Sequence, residues 1–205
     1  MRGRFLSLGV LLTGCSTLSV DGTIDGLPVP FEVSMFVEQP DALGSDDAMR
    51  VVLSSLPNAC RVYGYYMDRV GDGVPWRKQT IFWQEIFPVD FWELSFTMRT
   101  TTLDATILDG VFNGTSWDQG LQDPGWMKGT LRHYVRHPDP DEPNEDDWYV
   151  EYSSNSGAMA FDKYTPGEWV EGAFSGGFVD DEGVSKGELG IRYSAMLCPD
   201  LQGFY

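Results

Sequence analysis

Between Phe91 and Arg99 the side chains alternate: Trp92, Leu94, Phe96 and Met98 share one face, and Glu93, Ser95, Thr97 and Arg99 the other. A period of two is the mark of a strand with one buried face. The same alternation runs from Val29 to Glu38, with Val29, Phe31, Val33, Met35 and Val37 on one side. Met49–Leu56, Thr106–Phe112, Gly129–Arg136, Trp148–Tyr152, Gly157–Lys163, Trp169–Val179 and Gly187–Leu197 read as further strands. So many one-sided strands must hide their apolar faces against each other. The expected fold is therefore mainly β, a β-sandwich or partly closed barrel, in a single domain.

The alternation is interrupted once. Val62, Tyr65, Tyr66 and Arg69 have helical spacing, so Ala59–Val70 is expected to be a helix, with Asn58 as its cap and Gly64 as a weak point. Gly71-Asp72-Gly73 ends it. Pro75 suits a first helical turn, and the pairs Phe82/Ile86 and Trp83/Phe87 extend a second helix over Trp76–Phe87, stopped by Pro88. The C-terminal block reads as a meander, with turns at Tyr164-Thr165-Pro166-Gly167 and Asp180-Asp181-Glu182-Gly183. Its many glycines point to bulges or close backbone approach.

The first residues form an address. Arg2 and Arg4 precede the short apolar run Phe5–Leu12, far below the roughly 20 residues that span a bilayer. Leu12-Thr13-Gly14-Cys15 then resembles the lipobox of bacterial lipoproteins. That resemblance implies cleavage before Cys15, a thioether-linked diacylglycerol on its sulfur and an acyl chain on its new amine. Two or three chains anchor a protein stably. Ser16 after the cysteine favours the outer membrane, with the periplasmic or surface face open. The expected organisation is a signal peptide over 1–14, a lipidated Cys15 with a short tether to residue 20, and a β domain over 21–205.

Loss of the signal segment takes Arg2 and Arg4 with it. The mature chain then carries 12 basic against 31 acidic side chains, a net charge of −19. Such acidity opposes nucleic-acid binding, which needs Lys and Arg against phosphates, and electrostatic docking on anionic lipid. The expected attachment to the membrane is thus the lipid on Cys15. With Cys15 acylated, Cys60 and Cys198 remain, and an envelope compartment permits their disulfide. The chain-entropy model puts so long a loop closure at about 4–5 kcal/mol; the alternative is two buried free thiols.

The segments MRVVLSSLPNACRV (49–62) and EGAFSGGFVDDEGVSKGELGIRYSAMLC (171–198) resemble those of uncharacterised Gram-negative envelope lipoproteins, which share a strand–turn–Cys unit and a Gly-rich terminal hairpin ending in Cys. The resemblance implies the β-rich fold and the Cys60–Cys198 pairing, and no activity.

Chemistry-bearing residues are sparse. His133 and His137 are four apart, which in a strand is about 13 Å and too far for one metal. Asp139, Asp141, Glu145 and Asp147 lie in an acidic loop that offers calcium oxygens, without an EF-hand pattern and stiffened by prolines. Trp117, Trp126 and Trp148, beside Asp118 and Gln119, are candidate ligand-binding residues, since flat rings with flanking amides and carboxylates suit a glycan. No nucleophile elbow and no phosphate loop occurs, and no cofactor is expected. The expected role is a non-enzymatic, lipid-anchored envelope protein that binds glycan or another envelope protein. The alternative is a glycan hydrolase using carboxylates in the Trp117–Trp148 region.

Overall fold

The computed structural model describes residues 18–39, 47–71, 73–100, 110–113, 127–142 and 148–201. It is mainly β. In chain order the elements are β1 (Ser19–Ile24), β2 (Val33–Gln39), β3 (Asp47–Ser54), α1 (Ala59–Arg69), α2 (Trp76–Ile86), β4 (Phe91–Thr100), β5 (Gly110–Asn113), β6 (Met127–Tyr134), β7 (Tyr149–Thr165), β8 (Trp169–Val179) and β9 (Ser185–Leu197), followed by a 3-10 turn over Pro199–Leu201.

Seven strands close into a barrel in the order β9-β2-β3-β4-β6-β7-β8 and back to β9. Every pairing around the ring is antiparallel except β2 with β9, which is parallel and only two pairs long, Met35–Met196 and Phe36–Leu197. The closure is strongly sheared. A walk from Gly187 on β9 passes Phe178 and Ser154, crosses to Gly129 (whose amide donates to the Ser154 hydroxyl, just beyond the Thr130–Ser153 pair), continues through Phe96, Val51 and Phe36, and returns to β9 at Leu197, ten residues further on. Stagger of this size accompanies steep strand tilt. It also leaves half of two long strands without a ring partner. β1 covers the free edge of β9 from Gly187 to Arg192, and β5 covers that of β7 from Ser156 to Met159. Unpaired edge groups are thereby satisfied.

Alternation sorts the side chains into two cores. The barrel interior is filled by Phe36, Leu53, Leu94, Phe96, Leu131, Phe174, Phe178, Ile191 and Tyr193, all essentially inaccessible to water. Val29 and Phe31, from the connection between β1 and β2, belong to the same cluster. The opposite faces of β2, β3 and β4 carry a second apolar set, Met35, Val37, Val52 and Phe91, which α1 and α2 cover with Ala59, Tyr63, Trp83 and Phe87.

Several local expectations need correction. Asn58 does precede α1, but it sits at φ 59° and makes no side-chain cap. It spends its tolerance of the left-handed region on the turn. α1 runs unbroken through Gly64, where the Asp200 side chain of the C-terminal turn packs closely over the helix. Tyr149–Tyr152, of the strand expected over Trp148–Tyr152, and Gly157–Lys163 are parts of one 17-residue strand, β7. Register shifts at Ser154/Ser156 and Phe161/Lys163 break its period of two, which is why it reads as two strands. β1 is not apparent from pattern, because Asp21-Gly22 looks like a turn. Thr106–Asp109 of the strand expected over Thr106–Phe112 lies outside the described residues.

The β1–β9 contact depends on a glycine. Gly187 has φ 143°, and a Cβ there would come within 2.0 Å of the Thr23 carbonyl oxygen. Gly187→Ala should cost more than about 1 kcal/mol, because both backbone strain and a backbone clash oppose it. The denaturation midpoint reads the loss, and amide exchange should show β1 opening first.

Candidate functional site

Where β2 meets β9 the barrel wall is thinnest. Beyond the two parallel pairs, the seam is held by the Cys198 amide donating to the Phe36 carbonyl (2.7 Å) and the Ser34 hydroxyl donating to the Ser194 carbonyl (2.8 Å). A disulfide joins Cys60, in the first turn of α1, to Cys198, immediately after β9, with the two Cα atoms 5.7 Å apart. It ties the helix to the closing strand across 138 residues of sequence.

A groove of about 310 Å³ opens over this seam. Val33 and Met35 of β2, Met196 and Leu197 of β9, Ala59 of α1 and the disulfide form its mainly apolar lining, with Asn58 and Arg61 at its helical edge. Ser34 lines it too, but its hydroxyl is occupied by Ser194. Met196 is 65% exposed, the most exposed large apolar side chain among the described residues. This volume sits at the low end of small-molecule sites, and apolar walls with few polar groups are the usual makeup of such sites. The groove offers contact area for a hydrocarbon or apolar side chain. It has no pair of carboxylates among its lining residues.

Polar groups gather elsewhere. Glu93, on the outer face of β4, is 2% exposed, because α1 lies over it and Tyr63 donates its hydroxyl to the carboxylate. Arg132 is its register partner on β6, and Glu151 is the partner of Arg132 on β7, with Arg132 Nε 2.9 Å from Glu151 Oε2. Burial opposes the Arg132 charge, but Tyr134, Glu151 and Glu93 outweigh it and hold the guanidinium protonated. Burial, followed by Glu93, pushes the Tyr134 hydroxyl well up. In this row the Tyr63–Glu93 hydrogen bond, charge-assisted, fastens α1 to the barrel, and the Arg132–Glu151 pair ties β6 to β7. Sequence reasoning passed over it because Glu93 occupies the polar phase of an alternating strand.

The rim near Ile24 holds a second set. Tyr152 donates to Asp25 (2.8 Å), and Lys186 bridges Asp180 (3.0 Å) and Asp25 (3.8 Å). Asp25 and Asp90 both have positive φ. His133 stacks on Trp92 with centroids 4.0 Å apart, and its Nε2 lies 2.7 Å from Asp90 Oδ1. His137 instead reaches the Phe87 carbonyl (3.1 Å). The two histidines thus have separate partners.

The residues singled out from sequence fare unevenly. Cys60 and Cys198 meet. Trp148 is half-buried against the second core, 5.0 Å from Trp83 and 5.3 Å from Tyr134 between ring centroids. In the acidic loop the Asp139 carboxylate accepts the Asp141 amide (2.8 Å), and Asp141 pairs with Arg77 (3.2 Å). Cys15, Trp117, Asp118, Gln119, Trp126, Glu145 and Asp147 lie outside the described residues. Among the described residues no group of three or more His, Cys, Asp or Glu side chains is placed to hold a metal ion.

No family model, no curated protein and no solved structure matches this chain. The groove and the two polar sets are therefore read from their own chemistry.

Burial, and then the hydrogen bond to Asp25, push the Tyr152 hydroxyl up to about 12. An unfolded tyrosine ionises near pH 10. Between these values the unfolded chain has released a proton that the folded chain keeps, so stability falls as pH rises from about 10 to about 12. Tyr152→Phe should make that fall shallower, with the fall that remains coming from other buried tyrosines such as Tyr134 and Tyr193. Denaturant midpoints across this range, alongside tyrosinate absorbance, check it.

Proposed function

We propose that this chain is a lipid-anchored protein of the cell envelope, held at the outer membrane through Cys15, with a non-enzymatic binding or scaffolding role. The observation that carries the binding role is the filled barrel. Phe36, Phe96, Phe174, Phe178 and Tyr193 occupy the space where small barrels of other kinds hold ligands, so contact with a ligand is left to the outer surface. The anchor rests on the lipobox-like Leu12-Thr13-Gly14-Cys15. It is supported by the position of β1, whose first residue, Ser19, is four residues beyond Cys15. Such spacing would hold the barrel against the bilayer surface. The net charge of −19 on the mature chain favours a partner other than nucleic acid, an envelope glycan or protein.

A Cys15→Ser chain should fold, keep its disulfide and move from the membrane fraction to the soluble envelope fraction. If it stays with the membrane, the anchor reading fails. Incubation of the purified protein with envelope glycan should leave the glycan's chain-length distribution unchanged. Release of shorter glycans, lost on substitution of a carboxylate, would replace the binding role with hydrolysis.

A further inference from the structure

We propose that the seam groove receives one acyl chain of the lipidated Cys15, so that the barrel shields part of its own anchor. The inference rests on the lipid-anchor reading above and goes beyond it by assigning the groove an occupant.

The argument starts from register. β1 runs antiparallel to β9, with Ser19 opposite Arg192. Each step from Ser19 towards the N-terminus therefore advances along β9 towards its C-terminal end. Cys15 is four residues before Ser19, and Met196 is four residues beyond Arg192. At about 3.3 Å per strand residue both intervals are about 13 Å, so the reach of the tether matches the distance to the groove. β1 cannot simply continue along this edge, because β2 takes β9 from Met196 onward. The direction set at Ser19 thus leads to the junction where the groove opens.

The chemistry of the groove agrees. Its walls are Val33, Met35, Leu197 and Ala59 with the Cys60–Cys198 bridge, and Met196 stands exposed beside them. Hydrocarbon suits an apolar surface of this kind, and on the anchor reading the chains on Cys15 are tethered within reach of it. Methionine, unbranched and polarizable, packs against irregular chains. The number of chains agrees as well. Two acyl chains suffice for stable anchoring, so a third is free to leave the bilayer without loss of attachment. The amide-linked chain is joined to the backbone nitrogen of Cys15 and has the shortest tether to the protein. At about 310 Å³ the groove takes a portion of that chain.

The full-length protein is produced in cells supplied with a fatty acid carrying a diazirine near its methyl end. The cells are irradiated, and the protein is purified and mapped by mass spectrometry. Expected is a mature protein acylated on Cys15, with an intramolecular cross-link from the lipid to peptides containing Val33–Met35 or Met196–Leu197. Met196→Glu, at an exposed position that should not disturb folding, should reduce this cross-link at least tenfold. Val184→Glu, an exposed change on the distant rim, should not. Cross-links to phospholipid or to another protein alone, or a seam cross-link indifferent to Met196→Glu, would overturn the inference and leave the anchor intact. A Cys15 without lipid would overturn the anchor reading, and this inference with it.

Discussion

The parallel contact between β2 and β9 is the joint on which this architecture depends. Without it the sheet is an open ribbon whose first core would face water on one side. The joint itself is slight, with two register pairs, one amide to Phe36 and one serine hydroxyl to Ser194. Parallel pairing is also slightly the weaker kind per residue. The neighbouring disulfide supplies what the hydrogen bonds lack, because it binds the end of β9 to the helix that packs on β2 and β3. Glu38 adds a further clasp, accepting from the Tyr164 hydroxyl (2.6 Å) and the Gly167 amide (2.8 Å), and so ties β2 to the β7–β8 turn.

Closure with so large a stagger has a second consequence. It divides the edges of β7 and β9 between two partners each, which gives β1 and β5 their places. β1 ends at the rim and begins opposite Arg192, four residues before Met196 on β9, so its N-terminal end points towards the seam. The location of the groove and the direction in which the start of β1 points are two results of one register.

Strands with two buried faces explain most of what was hard to read. In β4 the alternation separates Trp92, Leu94, Phe96 and Met98 from Phe91, Glu93, Ser95 and Thr97. That pattern announces one buried face. The other is also covered near the start of the strand, where Tyr63, Trp83 and Phe87 descend from the helices. A carboxylate on that face would be solvated in a bare sheet. Under α1 it is buried, and it persists because Tyr63 and the Arg132–Glu151 pair surround it. The candidate groove was illegible for a similar reason. Its lining comes from β2, α1 and β9, which are far apart in sequence, and Met196 reads as one more residue of an alternating strand.

The sequence by itself determined most of the elements, the strands through their period of two and the helices through their spacing of three and four, with β1 hidden and β7 divided, and it offered Cys60 and Cys198 as a pair. These are local or compositional signals, and local signals act before the chain has a fold. Only the tertiary structure decided closure over an open sandwich, the ten-residue stagger, the continuity of β7 through its bulges, and the burial of Glu93. Each of these depends on which strands meet and in what register. Register is the sum of packing and hydrogen bonding between separate segments, some close in sequence and some, like β2 and β9, at opposite ends of the chain, and no periodicity within one segment records it.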